Sequence, residues 1–266
     1  MKTRAITGFF FVLVMLASVL SGAYTFSFFF GILAVLSLTE FYKLIRTDEI
    51  KPHGLSGYLL ASFLFIANIG NVLGFFPLSY LWLGIPIISG IYIASLYRRE
   101  TSPFLNLSFT FFGVLYVALP FLFFFLLGFI GGTYQFHLPL SFLLMLWAND
   151  TGAYLVGMKF GRHKLFERHS PKKTWEGFIG GVVLCVLVSL LISRYYREYE
   201  PAHWVIMAFI ISVFGTLGDL TESMLKRTFQ VKDSGSLLPG HGGLLDRFDG
   251  LLMAAPLVYV FFKLCS

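Results

Sequence analysis

The sequence predicts an all-α, polytopic integral membrane protein with about nine transmembrane helices and a cytoplasmic N-terminus. Of its 266 residues, 57% are hydrophobic and only 13% are charged, a composition that differs strongly from that of soluble globular domains. Apolar runs of about 17 to 25 residues, enough to cross roughly 30 Å of hydrocarbon, recur along the whole chain. Because no soluble-sized interval separates them, we predict a single membrane domain.

The apolar runs define nine predicted spans. The first run ends only a few residues before the second begins, so we interpret the two as a helical hairpin; a cleaved signal peptide is the alternative. Pro86 and Pro120 predict kinks, or positions where a neighbour satisfies the freed carbonyl. The spans cover residues 5–20, 24–38, 57–76, 79–97, 105–130, 139–158, 177–195, 202–219 and 251–264.

The basic residues support this topology. With the N-terminus inside, nine spans place all 20 Lys and Arg residues except Arg194, Arg197 and Lys263 on the cytoplasmic side. Three short loops on the other side contain no Lys, Arg, Asp or Glu. The net charge of +6 therefore reflects membrane topology, and nucleic-acid binding is not expected.

Chemistry-bearing residues concentrate in the second half of the chain. We predict that residues 1–138 form scaffold helices and that residues 139–266 form the helices that carry a catalytic site. The acidic residues of the first part lie in or beside basic loops, where we interpret them as solvated; they are Glu40, Asp48, Glu49 and Glu100. The two cysteines, Cys185 and Cys265, lack the spacing of a disulfide framework or a zinc site.

Segment 219–250 is the most polar part of this apolar chain. Carboxylates at membrane depth are costly unless they are paired, hydrated or bound to a cation, so we interpret the segment as a functional site. A Pro-Gly-His-Gly-Gly turn lies between its charged groups. The carboxylates are Asp219, Glu222, Asp233, Asp246 and Asp249, and the cations are Lys226, Arg227, Lys232 and Arg247.

Helical spacing predicts that these charged groups share faces. One face at the end of the eighth span contains Asp219, Glu222, Ser223 and Lys226, and Asp246 and Asp249 repeat the spacing at the start of the ninth. Ordinary intrahelical ion pairs are the alternative interpretation. Hard oxygen ligands without a Cys or His cluster suit magnesium. Basic residues and glycine amides beside them would suit phosphates, so the segment is typical of a nucleoside triphosphate site.

A second group of polar residues lies in the basic loop 159–176. The positive-inside rule explains its charge, and anionic lipid headgroups would also be attracted there. Neither explains the run Ser-Pro-Lys-Lys-Thr-Trp-Glu-Gly at 170–177, in which Lys172, Lys173 and Thr174 resemble a shaped anion site. Asp150 lies within the sixth span, where a functional role is favoured over a buried acid satisfied by its neighbours. We expect Asp150 and this loop to complete the site of segment 219–250.

The residues of segment 219–250 follow the signature of a known family. The pattern is Ser, any residue, hydrophobic, Lys-Arg, four residues, Lys-Asp, any, small, two residues, hydrophobic, Pro, any, His-Gly-Gly, hydrophobic, any, Asp-Arg, hydrophobic, Asp. The matching residues are Ser223, Leu225, Lys226, Arg227, Lys232, Asp233, Gly235, Leu238, Pro239, His241, Gly242, Gly243, Leu244, Asp246, Arg247, Phe248 and Asp249. The sequence therefore resembles the CDP-diacylglycerol synthases, also called phosphatidate cytidylyltransferases. Similarity extends over roughly residues 150–249.

This resemblance implies a magnesium-dependent enzyme of phospholipid synthesis. It would transfer a cytidylyl group from CTP to phosphatidic acid, forming CDP-diacylglycerol and pyrophosphate. The expected mechanism is metal-assisted in-line attack of the lipid phosphate on the α-phosphate of CTP, with one or two divalent cations. The enzyme would be a multi-pass protein of the cell (inner) membrane, in contact with membrane lipid, with its active site facing the cytoplasm. A homodimer is compatible with the sequence.

The resemblance and the charge pattern together give the expected site residues. The expected metal ligands are Asp219, Asp246, Asp249 and Glu222. The expected catalytic residues are Asp219, Asp246, Lys226, Arg247 and His241, although His241 could donate to a phosphate, accept a proton or only order the turn. The expected substrate-binding residues are Ser223, Arg227, Lys232, Lys172, Lys173, Thr174, Gly242 and Gly243.

Two other functions are compatible with parts of the pattern. A CTP-dependent lipid kinase would transfer the γ-phosphate to a lipid hydroxyl and would release CDP instead of pyrophosphate. A secondary transporter would also place acids and cations in the membrane, but near the midplane and in broken helices related by a repeat. No repeat is visible in the sequence, and the acids lie near predicted cytoplasmic ends.

Overall fold

Helices dominate the structure, a computed structural model that describes residues 2–235 and 242–265. A 3₁₀ segment, Leu78–Leu83, leads directly into α4, and a π-helical turn, Val114–Ala118, joins α5 to α6. The helices are α1 (Lys2–Leu20), α2 (Ala23–Leu44), α3 (Gly54–Val72), α4 (Gly84–Leu96), α5 (Pro103–Gly113), α6 (Leu119–Leu127), α7 (His137–Phe160), α8 (Trp175–Tyr195), α9 (Pro201–Thr228) and α10 (Leu245–Cys265).

Every predicted span coincides with a helical segment, but not every segment qualifies as a membrane crossing. In the described part of the chain, seven segments are long and apolar enough to cross a membrane. Helix α1 contributes only the shorter apolar stretch Ile6–Leu20, and α7, which carries Asn149 and Asp150, is not among the seven. The chain is therefore a polytopic membrane protein, while nine crossings and a cytoplasmic N-terminus stay predictions.

The two helices that carry the signature differ in their ends from the predicted spans. Helix α9 continues to Thr228, well past the predicted end at 219, and α10 begins at Leu245, before the predicted start at 251. Hydropathy marks only the apolar part of a helix, whereas backbone hydrogen bonding continues through polar residues that find partners. The acidic residues near both boundaries are therefore helical.

The prediction of an all-α fold misses one small sheet. Strand β1 (Lys164–Phe166) pairs antiparallel with β2 (Ser170–Thr174), with Lys164 opposite Thr174 and Phe166 opposite Ser170. The sequence of β2, Ser-Pro-Lys-Lys-Thr, lacks the apolar alternation that indicates a strand. The basic loop is thus a β-hairpin that leads directly into α8.

The chain forms two compact units. The first contains the described residues of Met1–Phe125, Gly132–Tyr134 and Asp233–Leu245, and the second contains those of Leu126–Gly131, Gln135–Lys232 and Asp246–Ser266. The chain therefore leaves the second unit after Lys232 and re-enters it at Asp246. The functional division at residue 138 stays a prediction.

Phenylalanine rings form the core of the first unit. Phe26 and Phe30 of α2 are fully buried, and the ring of Phe30 lies 4.7 Å from that of Phe124, centroid to centroid. The hydroxyl of Tyr42 donates to the carbonyl oxygen of Thr110 at 2.6 Å, which ties α2 to α5. The π-helical turn lies just before Pro120, which has no N–H to donate, and the kink expected at that proline stays a prediction.

Glycines allow close helix packing in the second unit. A Cβ atom at Gly152 of α7 would lie 2.6 Å from the carbonyl oxygen of Gly180 in α8. At Gly177 it would lie 2.8 Å from the carbonyl oxygen of Ala153. Small residues at such contacts let two backbones approach closely, as is common between membrane helices. This packing fixes α7 against α8 and against the end of β2.

Candidate active site

A cavity of about 460 Å³ lies within the second unit. Residues from α7, α8, α9, α10 and the β-hairpin contribute to its wall. The polar lining residues are Asn149, Asp150, Lys172, Lys173, Thr174, Thr216, Asp219 and Asp249, and the apolar ones include Ala153, Tyr154, Met158, Leu165 and Phe178. Charged residues that are distant in sequence therefore share one cavity with an apolar wall.

An ion pair at the cavity wall joins the hairpin to α9. The Nζ atom of Lys173 lies 2.6 Å from Oδ2 of Asp219 and donates to the carbonyl oxygen of Thr216 at 3.4 Å. The hydroxyl of Ser223 donates to the other carboxylate oxygen of Asp219 at 3.3 Å. The structure thus brings together the basic loop and the acidic helix face that the sequence predicts as one site.

A second ion cluster connects α9 to α10. The Nζ atom of Lys226 lies 3.1 Å from Oε2 of Glu222 and 2.5 Å from Oδ1 of Asp246. The side chain of Glu222 is fully buried, and those of Lys226 and Asp246 are 11% and 10% exposed. None of the three lines the cavity. The ammonium group therefore lies between two of the predicted metal ligands.

The other two predicted metal ligands, Asp219 and Asp249, line the cavity beside Asp150. Asp249 interacts electrostatically with both. Within the residues that the structure describes, no three His, Cys, Asp or Glu side chains are grouped so that they could hold one metal ion. Magnesium is commonly held by one or two carboxylates together with substrate phosphates and water, not by a complete protein cage. The donor set therefore fits magnesium bound jointly by Asp219, Asp249 and a substrate.

Polar residues at the end of β2 and just after it hold the hairpin in place. The hydroxyl of Thr174 accepts a hydrogen bond from the backbone N–H of Gly177 at 3.2 Å and so caps α8. The carboxylate of Glu176 accepts the backbone N–H of Arg162 at 3.0 Å and contacts Nδ1 of His163 at 2.6 Å. These contacts fix the end of β2, and with it Lys172 and Lys173.

The remaining predicted site residues fall into three groups. Arg227, Lys232 and Arg247 are exposed and do not line the cavity, although Arg247 interacts electrostatically with Asp150. Gly242 and Gly243 belong to the first unit, where Gly242 has a φ of 83°, a conformation that favours glycine. His241 lies outside the described residues, and its role stays a prediction.

One acid that the sequence interpretation placed in a solvated loop is buried. Glu40 is only 7% exposed, and its Oε2 accepts the backbone N–H of Leu245 at 3.1 Å. Helix α2 extends past the predicted span, so Glu40 shares its buried face with Ser37 and Leu44. The three- and four-residue spacing of these positions is the signal that could have revealed it.

Membrane-spanning helices and a cavity lined by carboxylates and lysines are compatible with an integral membrane enzyme that acts on phosphate groups. The chain belongs to the cytidylyltransferase family, whose family model matches residues 2–265. The family resemblance seen in the sequence is thereby confirmed.

Relatives named phosphatidate cytidylyltransferase match nearly the whole chain. The protein of that name from Staphylococcus aureus (strain COL) is 36% identical over 272 residues, covering 98% of each chain. Those from Staphylococcus haemolyticus and Staphylococcus saprophyticus are each 34% identical over 263 residues, again covering 98% of both chains.

Proposed function

We propose that this protein transfers the cytidylyl group of CTP to phosphatidic acid, forming CDP-diacylglycerol and pyrophosphate, at the cavity of the second unit. The observation that carries the proposal is the Lys173–Asp219 ion pair in a cavity that Asp249 and Asp150 also line. The full-length similarity to proteins named phosphatidate cytidylyltransferase supports the choice of substrates.

The charges of the cavity suit two anionic substrates. A triphosphate and a lipid phosphate repel one another, so their approach requires positive charge on the protein or on a bound cation. Lys172 and Lys173 supply positive charge on the hairpin side. We assign Asp219 and Asp249 as the residues that would hold magnesium, which when bound would neutralise charge on the triphosphate.

The proposed reaction requires no covalent enzyme intermediate. A phosphate oxygen of phosphatidic acid forms a bond to the α-phosphorus of CTP while the bond from that phosphorus to the β-phosphate oxygen breaks. The electron pair of the broken bond leaves with pyrophosphate, and no proton transfer is needed for balance. The protein therefore acts by holding the phosphates in line and by stabilising the charge that develops, with Lys173 placed by Asp219.

The apolar part of the cavity suits a lipid substrate. Tyr154 and Met158 of α7 line the cavity and are 67% and 68% exposed, so apolar groups continue from its wall to the surface of the unit. Acyl chains can then stay in the bilayer while the headgroup enters. We expect weak selectivity for acyl-chain length, and we place the polar side of the cavity at the cytoplasm, where CTP is found.

The test is product analysis with purified full-length protein in phosphatidate-containing nanodiscs. We expect pyrophosphate release only when CTP, phosphatidic acid and Mg²⁺ are all present, with one CDP-diacylglycerol formed for each pyrophosphate. Release of CDP together with a newly phosphorylated lipid would identify the lipid kinase instead. No turnover under any of these conditions would contradict the proposal. Size-exclusion chromatography with light scattering would test the predicted homodimer.

Variants at the cavity test the metal assignment. We expect Asp219→Asn and Asp249→Asn each to lower kcat by at least 100-fold and to raise the Mg²⁺ concentration needed for half-maximal rate. The control is Asp48→Asn, which makes the same chemical change at an exposed loop residue and should leave the rate unchanged. Near-normal activity of both cavity variants at limiting Mg²⁺ would exclude Asp219 and Asp249 as metal ligands.

A further inference from the structure

Glu40 is a buried carboxylate in α2 that the proposed reaction does not use. Its side chain lies among apolar neighbours on the buried face of the helix, which includes Phe41 and Leu44. Burial of a carboxylate is costly unless hydrogen bonds compensate for the lost water. Its Oε2 accepts the backbone N–H of Leu245, also in the first unit, at 3.1 Å.

Two glycines of the signature lie directly against this carboxylate. A Cβ atom at Gly235 would lie 2.6 Å from Oε1 of Glu40, and one at Gly243 would lie 2.5 Å from Oε2. Any other residue at either position would displace the carboxylate or the backbone. The same side chain therefore contacts Gly235 and Gly243, which lie before and after segment 236–241 in the sequence.

The contact with Leu245 has a consequence for α10. Leu245 is the first residue of that helix, so its N–H is one of the groups that lack an acceptor within the helix. A carboxylate that accepts such an N–H stabilises the helix at that starting point, through the hydrogen bond and through the helix dipole. Asp246 and Asp249 occupy the first turns of the same helix. Where α10 begins therefore determines where these two carboxylates lie.

We propose that Glu40 is a positioning residue for the cytidylyl transfer: it holds Gly235, Gly243 and the first residue of α10, and thereby sets the positions of Asp246 and Asp249. The catalytic consequence of this inference rests on the proposed function, whereas the contact between Glu40 and Leu245 does not depend on it. Glu40 touches no substrate in this assignment and acts through the helix that it anchors.

The test compares Glu40→Gln and Glu40→Ala with wild type in full-length protein. Gln keeps the shape and one acceptor oxygen, whereas Ala removes both, so we expect kcat to fall about tenfold for Gln and about 100-fold or more for Ala. KM for CTP and for phosphatidic acid should stay within about twofold, because no substrate contact is lost. Glu49→Gln, which removes the same charge at an exposed position after α2, is the matched control.

Hydrogen–deuterium exchange supplies a readout that does not depend on activity. Peptides that contain Leu245 should exchange faster in both Glu40 variants, while peptides from α7 and α8 should exchange as in wild type. Normal kcat with normal exchange at Leu245 would overturn the proposal. Faster exchange throughout the protein would also overturn it, since that would indicate a general loss of stability.

A coupled pair of substitutions tests the contact with Gly235. Gly235→Ala places its Cβ against Glu40 and should lower kcat, and the shorter side chain of Glu40→Asp should recover part of that loss when both are combined. Strictly additive losses would contradict the contact. If the wild-type protein forms no CDP-diacylglycerol, the proposed function fails, whereas the exchange comparison still decides whether Glu40 holds the start of α10.

Discussion

Replacement of Lys226 by methionine removes the cation between two buried carboxylates. Met has a similar length and no charge, so the change leaves the side chains of Glu222 and Asp246, 0% and 10% exposed, without the ammonium group that lies 3.1 Å and 2.5 Å from them. Removal of one partner from a buried ion pair typically costs about 3–5 kcal/mol. At about 2–4 °C per kcal/mol for a chain of this size, we expect the apparent Tm to fall by roughly 10 °C.

The assay is thermal unfolding of purified protein in detergent at one fixed scan rate, because membrane proteins often unfold irreversibly. Lys232→Met is the matched control: it removes the same charge from an exposed residue and should change Tm little. The double variant Glu222→Gln/Lys226→Met removes the fully buried negative charge as well and should regain part of the lost stability.

Two outcomes would refute this reasoning. An apparent Tm for Lys226→Met equal to that of Lys232→Met would show that the buried cluster does not depend on the lysine. A loss of stability that added Mg²⁺ fully restores would show that Glu222 and Asp246 bind a metal ion, as the sequence predicts, and do not serve mainly as partners of Lys226.

Two further predictions concern packing and pH. Gly152→Val should drive α7 away from the carbonyl oxygen of Gly180 and lower both Tm and activity, whereas Gly90→Ala, with no atom within 4 Å of the added Cβ, should change neither. Partial burial raises the pKa of Glu100, but hydrogen bonds from Asn106 and a neighbouring histidine outweigh it, so the pKa lies below its ordinary value of 4.5. The stability that this carboxylate contributes is therefore complete above pH 4.5 and is lost as pH falls through its lowered pKa. Glu100→Gln should lower Tm at pH 7, and the difference in Tm between wild type and variant should shrink as the pH is lowered below 4.5. A difference in Tm that is equal at pH 7 and at this acidic pH would contradict the prediction.

The helical segments could be located from the sequence because every predicted apolar span coincides with one of them. The ends of these helices could not be located from the sequence. The predicted ninth span begins at 251, six residues after the helix itself, because hydropathy excludes Asp246 and Asp249 while the backbone does not. The β-hairpin also escaped prediction, because its sequence lacks the alternation of apolar and polar residues that indicates a strand. Backbone pairing and the Glu176 carboxylate, which accepts backbone N–H groups, hold it together instead.

The sequence indicated which residues to expect in the candidate site, but it did not indicate every contact between them. Helical spacing placed Glu222 and Lys226 on one face, and their contact follows from that spacing alone. The ion pair between Lys173 and Asp219 does not follow from any local rule, because a strand and a helix that are distant in sequence must first be packed together. The distribution of basic residues predicted that both segments lie on the same side of the membrane, and the tertiary structure supplied the contact.

Glu40 shows why neighbours in sequence are a poor guide to the environment of an acid. Lys43 and Arg46 follow it closely, which favoured a solvated loop, yet both are exposed while Glu40 is buried. In a membrane helix the face decides whether a carboxylate meets water, and a buried one must have found a donor. One such donor is the first backbone N–H of α10, the helix that carries two of the predicted metal ligands. A lone acid on an otherwise apolar helix face is therefore evidence about the segment that packs against it.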